Sequence, residues 1–171
     1  MSRHIAIALA LFAAATIAGA SFPSKELIIP AAGRVEGVGG ASFYTSLWIT
    51  NATSQRIDYE LQFLKAGQNN STPVTFNDSI GAGATKVYEN VAATVFGVVG
   101  TMGAIRIRSN GELLASARLY QHSPLERDTQ GRGLVFSAVP SDFGIGRGQS
   151  SMLQGADRLP HLKFGVDRFQ Y

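Results

Sequence analysis

The sequence predicts an all-β fold: an antiparallel, immunoglobulin-like β-sandwich of about seven to nine strands that follows a signal peptide helix. Three observations predict it. Short apolar segments recur along the chain, and turn residues separate them. The segment from Ile57 to Phe63 alternates strictly between apolar and polar side chains, which is typical of a strand with one wet face. No stretch alternates strands with long helices, as a parallel sheet requires.

Composition sets the limits on this domain. The chain has 171 residues, enough for one domain whose core needs no disulfides. It contains no cysteine, which excludes disulfides, thiolate metal sites and a cysteine nucleophile. Its formal charge of +3 falls by one when Arg3 leaves with the signal peptide. So small an excess of positive charge predicts no nucleic-acid partner.

Residues 1–20 have the pattern of a cleavable signal peptide. A basic start at Arg3 and His4 is followed by an uncharged apolar segment that ends in the small residues Ala18-Gly19-Ala20. The apolar segment is shorter than the roughly 20 residues that span a membrane, so an uncleaved anchor is the weaker alternative. We therefore expect a mature chain outside the cytoplasm, secreted or periplasmic, with no membrane span.

The strands follow in order along the mature chain. Residues 26–32 form a short apolar strand, and Pro30 within it predicts an edge position because proline cannot donate to a ladder. Residues 33–40 form a glycine-rich loop, and residues 43–51 a strand rich in aromatic and β-branched side chains. The next strand faces the core with its apolar residues, Ile57, Tyr59, Leu61 and Phe63. Further short strands are predicted at residues 73–76, 85–88 and 134–139, with one helical turn at residues 91–96.

Residues 104–108 and 113–120 predict a hairpin. A two-residue Asn-Gly turn would direct the apolar set of one strand to water. A three-residue loop, Ser109-Asn110-Gly111, places the apolar residues of both strands on one face instead. We therefore expect the three-residue loop, with Gly111 in the left-handed position of a bulge.

Side chains with catalytic or metal-binding chemistry are scattered. His122 and His161 are the histidines that remain after cleavage, and neither has a second histidine at ligand spacing. His122 and Ser123 are neighbours on a strand and point to opposite faces, so they do not form a catalytic set with Asp128. The acids fit no calcium-loop spacing. The sequence therefore predicts no catalytic, cofactor or metal residues, and no enzyme.

Three arginines are the candidate binding residues. Arg106, Arg108 and Arg118 fall on the outer face of the predicted hairpin, where they could form a patch for an anionic polymer or a protein partner. The alternative is a solvated face on which Glu112 and Glu126 are the counter-charges, since surface ion pairs contribute little.

Three blocks of sequence carry a resemblance to a known family. They are Ile29-Pro30-Ala31-Ala32-Gly33 with the strand from Tyr44 to Asn51, then Ser116-Ala117-Arg118-Leu119-Tyr120, and then Gly131-Arg132-Gly133-Leu134 with Val139-Pro140. In this order they resemble the β-sandwich modules that exported bacterial cell-surface and extracellular proteins carry, often as tandem copies. The resemblance covers roughly residues 28–140. It implies an immunoglobulin-like sandwich without known catalysis, and it assigns no functional residues.

The predicted regions are a signal peptide at residues 1–20, the sandwich domain at residues 21–140, and a glycine-rich loop with a C-terminal extension at residues 141–171. The extension contains Leu153-Gln154-Gly155 and Leu159-Pro160, which look like the start of a second copy of the module. Either the extension caps the first module, or it is the remnant of a shortened second one.

The expected function is that of a non-catalytic exported module with a structural, adhesive or binding role and no cofactor. Its expected partner is an unidentified protein or polysaccharide of the cell envelope. Two alternatives stay open: a secreted hydrolase with an unrecognised site, and a carbohydrate-binding module. The hydrolase requires a concave pocket with converging polar side chains. The carbohydrate-binding module requires Trp48, Tyr44 or Tyr120 to lie exposed in one plane.

Signal peptidase should cleave between Ala20 and Ser21, because Ala18 and Ala20 supply the small side chains that this enzyme accepts. N-terminal sequencing of the exported protein should therefore begin at Ser21. An intact Met1 on the exported species contradicts the prediction.

Overall fold

The computed structural model describes residues 22–37, 40–122 and 132–144, so the predicted signal peptide and the C-terminal extension beyond Gly144 lie outside it. In chain order the described elements are β1 (Ser24–Glu36), β2 (Ser42–Thr50), β3 (Ile57–Lys65), β4 (Val74–Ile80), β5 (Thr85–Tyr88), α1 (Val91–Thr94), β6 (Thr101–His122), β7 (Arg132–Ser137), β8 (Val139–Pro140) and a 3-10 helix (Ser141–Phe143). Every strand pairing within these ranges is antiparallel, and the predicted all-β antiparallel fold is confirmed.

The sheet is organised around β6, which is 22 residues long. Its first half pairs with β1 on one edge and β3 on the other, and its second half pairs with β2 and β7. The sheet continues from β3 to β4, from β2 to β5, and from the far edge of β1 to β8. We call β4, β3, the first half of β6, β1 and β8 the first half-sheet. The second half-sheet is β5, β2, the second half of β6 and β7.

The core lies between the two half-sheets and follows from side-chain alternation. On β6, the odd-numbered residues Ile105, Ile107, Leu113, Ala115 and Ala117 are buried. The other strands add buried side chains to the same cluster, among them Leu27, Ile29, Leu47, Ile49, Ile57, Tyr59, Leu61 and Phe63. The predicted core face of residues 57–63 is therefore confirmed. Because the odd-numbered residues of β6 point inward, its even-numbered residues point outward in both halves.

The predicted hairpin at residues 109–111 is wrong, because β6 runs through them without turning. Strands β1 and β3 pair with the two edges of β6 before these residues, and β2 and β7 pair with its two edges after them. Asn110 Oδ1 accepts a hydrogen bond from the amide of Asp58 at 3.1 Å instead of closing a turn. A Cβ at Gly111 would lie 2.8 Å from Ile57 Cδ1, so this glycine permits close packing rather than a left-handed turn.

The predicted edge position of the first strand is also wrong. β1 pairs with β6 along one side and with β8 and β2 along the other. Pro30 fits into this inner strand because the register of β1 against β6 shifts between Ile29 and Ala32, and proline at such a bulge has no ladder hydrogen bond to lose. The strand continues to Glu36, so the glycine-rich loop starts later than residue 33.

The buried side chain of Asn51 stabilises the connection between β2 and β3 by hydrogen bonds. It is fully buried, and its Nδ2 donates to the carbonyl of Gln55 at 2.7 Å and to that of Gly81 at 3.0 Å. Its Oδ1 accepts from the amide of Thr53 at 2.9 Å and from the hydroxyl of Thr53 at 2.7 Å. These bonds satisfy a buried polar side chain and tie the β2–β3 connection to the β4–β5 turn.

A polar cluster, which we call the clasp, joins β4 to β5, the strands at the two ends of the sheet order. Lys86 Nζ of β5 donates to both carboxylate oxygens of Asp78 of β4, at 2.8 and 2.7 Å. The hydroxyl of Tyr88 donates to Asp78 at 2.6 Å and also meets the hydroxyl of Tyr59 of β3. Side chains rather than a backbone ladder therefore connect the outermost strands of the two half-sheets.

The clasp holds Asp78 in its charged form. Burial raises the pKa of Asp78, but hydrogen bonds from Lys86 and Tyr88 and attraction to the Lys86 ammonium outweigh it and lower the pKa from 3.8 to about 2. Burial, with the hydrogen bond to Asp78, raises the pKa of Tyr88 far above its ordinary value. Burial also raises the pKa of Tyr59 to about 12. The two tyrosines therefore stay neutral beside the carboxylate.

Leu61→Ala should lower the free energy of unfolding by about 2–5 kcal/mol, because Leu61 is fully buried and its truncation leaves a cavity in the core. Glu60→Ala is the matched control on the neighbouring residue of β3. Its effect should be smaller, about 0.5–1.5 kcal/mol, because it removes no core contact but does remove the acceptor of the hydrogen bond from Gln62 Nε2. Urea unfolding measures both variants, and equal destabilisation contradicts the assignment of the two faces.

The clasp predicts a loss of stability in acid. The folded-state pKa of Asp78, about 2, lies below its ordinary value of 3.8, so the stabilisation is complete above about pH 4 and is lost as the pH falls toward 2. Asp78→Asn should lower the free energy of unfolding by roughly 1–2 kcal/mol near neutral pH, after allowance for solvent screening. The difference from the wild type should shrink near pH ~2.5.

Asp58→Asn is the control for this prediction. It removes an exposed carboxylate that pairs with Arg56 at 3.4 Å, and such pairs contribute less than about 1 kcal/mol. Urea unfolding of the wild type and both variants at the two pH values measures the effect. A difference between Asp78→Asn and the wild type that is the same at both pH values would show that the Asp78 charge does not stabilise the fold.

Candidate functional site

The outer surface of the second half-sheet carries aromatic and polar side chains that we call the aromatic face: Tyr44, Ser46, Trp48, Arg118 and Tyr120. They belong to β2 and β6, whose alternate residues fill the core. The register pairs Tyr44 with Tyr120 and Ser46 with Arg118. Residues opposite one another on an antiparallel pair share a face. The pairing of β2 with β6 therefore brings the three aromatic rings onto one surface.

Two arginines lie over the two tyrosine rings. The rings of Tyr44 and Tyr120 stack with centroids 5.7 Å apart and an angle of 21° between their planes. The Cζ atom of Arg34, from β1, lies 4.2 Å from the centroid of Tyr44, and that of Arg118 lies 5.1 Å from the centroid of Tyr120. Both distances are within the roughly 6 Å reach of cation–π attraction. The tyrosines therefore present mainly ring edges and hydroxyl groups to the outside.

The corner between β5 and α1 supplies the polar end of the site. Ser46 Oγ donates to the carboxylate of Glu89, and Thr94 Oγ1 donates to the carbonyl of Glu89 at 2.8 Å. Asn90 follows in the left-handed conformation, with a φ of 47°. Its Oδ1 is buried and accepts no hydrogen bond from the described residues. An amide oxygen has two lone pairs, so this atom keeps its full capacity as an acceptor.

A cavity of about 560 Å³ lies between these elements, lined by the aromatic face together with Glu89 and Asn90. Its aromatic rings offer apolar contact. Its polar groups are a hydroxyl, a carboxylate, an amide and a guanidinium, which together donate and accept hydrogen bonds. Apolar walls with a few placed polar groups are typical of a site for a small molecule or for one segment of a polymer.

Strand β7 borders the aromatic face on the far side of β6. Gly133 pairs with Tyr120, and a Cβ there would lie 2.7 Å from the Tyr120 Cα, so glycine is required for β7 to approach this closely. Val135 pairs with Arg118, and 71% of its surface is exposed. The face thus continues from β2 across β6 to an apolar border on β7.

The three predicted binding arginines divide between the two half-sheets. Arg106 and Arg108 lie on the first, where their Nε atoms are 3.4 and 3.6 Å from the carboxylate of Glu26. Their counter-charge is therefore Glu26 rather than the predicted Glu112. Arg118 lies further along β6, separated from Arg108 by about 33 Å of strand. The structure brings Arg106 and Arg108 together and places Arg118 in the aromatic face.

A second cavity, of about 650 Å³, is an open depression on the outer surface of the first half-sheet. Its lining is mostly charged or polar and includes Arg56, Asp58, Glu60 and Arg108. Arg56 and Asp58 pair with each other, and both side chains are about two-thirds exposed or more. Exposed, paired charges are typical of a solvated surface and indicate no particular ligand.

No group of three or more histidine, aspartate or glutamate side chains in the described part of the chain could hold a metal ion. Ser123, Asp128 and the side chain of His122 lie outside what the structure describes. Among residues 22–37, 40–122 and 132–144, no helix has the length and apolar character needed to cross a membrane.

Four residues of the site were not predicted from the sequence. Arg34 lies in a stretch predicted as loop, Ser46 lies within a predicted strand, and Glu89 and Asn90 belong to a turn that shows no pattern. For the aromatic rings the alternation of side chains along the strand is a usable signal. Leu47 and Ile49 of β2 face the core, so Trp48 between them faces the outer surface.

Comparison with known proteins adds the fold alone. No protein-family model matches the chain, and no curated relative matches it. Among solved structures the chain is similar to Thermotoga maritima 1070, with a TM-score of 0.53 and 14% identity over 68% of this chain and 93% of that one. It is also similar to the Anabaena sensory rhodopsin transducer, with a TM-score of 0.45 and 16% identity over 57% and 89%.

Proposed function

We propose that the chain is a non-catalytic exported binding module and that its aromatic face binds a carbohydrate of the cell envelope. One observation carries the proposal. Tyr44, Trp48 and Tyr120 share one outer surface, around a cavity that also holds four polar side chains. Aromatic rings beside polar side chains suit a carbohydrate, since a sugar presents both an apolar ring face and a rim of hydroxyl groups.

Trp48 is the ring best placed to stack against a sugar. The two tyrosine rings contact each other and two arginines, whereas Trp48 has no ring contact among the described residues. The negative face of an indole attracts the C–H groups that line one side of a sugar ring. Beside it, the carboxylate of Glu89 offers acceptors to the sugar hydroxyl groups.

The number of carboxylates at the cavity supports binding of a carbohydrate rather than its hydrolysis. Most glycoside hydrolases use two carboxyl groups, about 5–10 Å apart, one as acid and the other as base or nucleophile. Glu89 is the one carboxylate among the described residues that line the cavity, and Ser46 donates a hydrogen bond to it. We therefore propose a site that retains its ligand without cleaving it.

The proposal includes an immunoglobulin-like sandwich as the scaffold and a location outside the cytoplasm. Two half-sheets around one core support the sandwich, although β6 runs unbroken through both, a feature that two separate sheets lack. The signal-peptide pattern of residues 1–20 supports export. The resemblance to modules of exported bacterial surface proteins supports an adhesive role at the cell envelope.

Trp48→Ala should weaken carbohydrate binding at least about tenfold, because an aromatic anchor at the centre of a site carries much of the binding free energy. The mature protein, starting at Ser21, is tested by affinity electrophoresis and calorimetry against a panel of cell-envelope polysaccharides and neutral and acidic glycans. Phe143→Ala is the matched control. It truncates a ring that is 55% exposed outside the aromatic face, and it should leave binding unchanged.

Thermal unfolding of both variants checks that the fold is retained. Binding that survives Trp48→Ala undiminished shows that the ligand sits elsewhere. A wild-type protein that binds no glycan of the panel contradicts the proposed function.

A further inference from the structure

Strand β7 is less protected than the other strands at the edges of the sheet. Within the described residues it pairs with β6 alone. Proteins protect edge strands by keeping them short, by proline or lysine, or by covering them, because unpaired backbone groups pair with other chains. β8 has two residues and contains Pro140, β5 has four residues and contains Lys86, and Asp78 of β4 belongs to the clasp. β7 has six residues, and none of them is proline or lysine.

Both sides of β7 expose large apolar side chains. Leu134 is 67% exposed and Val135 is 71% exposed. Leu134 pairs with Leu119, and Phe136 pairs with Ala117. Because Ala117 belongs to the core, Leu134 and Phe136 lie on the core side of the sheet, and Val135 lies on the outer side. A core-side leucine this exposed leaves apolar surface that one further strand beyond β7 would bury.

The backbone of Val135 directs its hydrogen-bonding groups away from β6. The amide of Ala138 donates to the carbonyl of Ala115 at 2.9 Å, one position beyond the last pair of β6 and β7. In an antiparallel pair, residues bonded to the partner strand alternate with residues whose N–H and C=O groups face the other way. Phe136 and Leu134 are therefore bonded to β6, whereas the amide and carbonyl of Val135 face the free edge.

A segment that suits this edge lies in the C-terminal extension, outside the described residues. Residues 162–166 read Leu-Lys-Phe-Gly-Val, so apolar side chains alternate with a lysine and a glycine. Such alternation is typical of a strand with one apolar face. Added beyond β7, this apolar face would continue the core side next to Leu134, and the lysine would face solvent.

The connection to this segment is long enough to reach any edge of the sheet. The 17 residues between Gly144 and Leu162 span up to about 56 Å when extended, and a small domain is roughly 30 Å across. A tethered segment is present at an effective concentration of roughly millimolar, above that of a second copy in a dilute solution. Pairing within one chain is therefore favoured over pairing between chains.

We propose that residues 162–166 pair with the free edge of β7 in the same chain, as a further strand of the second half-sheet. Their backbone bonds the amide and carbonyl of Val135, and their apolar side chains cover Leu134 on the core side. The C-terminal extension then caps the module and closes the exposed edge to other chains. This pairing does not depend on carbohydrate binding by the aromatic face.

Amide hydrogen exchange of the mature protein, followed for each residue by NMR, tests the pairing. The Val135 amide should exchange slowly in the wild type and at least about tenfold faster in Phe164→Asp, because a carboxylate on the core side displaces the segment. The Phe136 amide is the internal control. Its bond is to β6, so its exchange should be equally slow in both proteins if the rest of the fold is retained.

Lys163→Asp is the matched control variant. It introduces the same residue, with the same weak strand preference, on the solvent-facing side of the segment. Exchange of the Val135 amide should stay within about threefold of the wild-type rate.

Rapid exchange of the Val135 amide in the wild type would show an unpaired edge and overturn the proposal. Slow exchange that Phe164→Asp leaves unchanged also overturns it, and so does equal acceleration by Phe164→Asp and Lys163→Asp. Protection of Val135 that increases with protein concentration would assign the edge to a second copy and overturn pairing within one chain.

Discussion

The continuity of β6 is the constraint on which the rest of the structure depends. Its 22 residues pair with β1 and β3 in the first half and with β2 and β7 in the second, so the hydrogen bonding of both half-sheets passes through one backbone. A turn at Asn110-Gly111 would remove the ladder bonds on both sides of it. A local turn preference is weaker than several ladder bonds and the core packing that accompanies them.

The two outer surfaces follow from this strand and differ through its neighbours. Outward-facing arginines occur in both halves of β6, as Arg108 and Arg118 show. In the first half-sheet, β1 brings Glu26 beside Arg108, and the two side chains form an ion pair. In the second, β2 brings tyrosine and tryptophan rings, and Arg118 lies over one of them. The same residue type therefore contributes to a solvated surface in one place and to a candidate binding site in the other.

The two half-sheets share β6, and the strands at the two ends of the sheet order are β4 and β5. The clasp connects these ends through Asp78, Lys86 and Tyr88, with charge-assisted hydrogen bonds that keep the carboxylate ionised. Its members face the inner side of their strands, whereas the aromatic face lies on the outer side. Stability in acid and the proposed ligand binding therefore depend on different residues.

The sequence by itself determined which side chains face the core, because alternation is a property of each strand alone. Alternation correctly predicted which side chains of residues 57–63 face the core, and the same rule places Trp48 on the outer surface. Pro30 and Asn110-Gly111 were interpreted from local preference, as an edge strand and a hairpin, and the pairing of distant strands overrode both. The site depends on such pairing, since Arg34, Tyr44 and Tyr120 come from three strands. Only the tertiary structure decided their proximity, because register is set by packing across the whole sheet and not by any one segment.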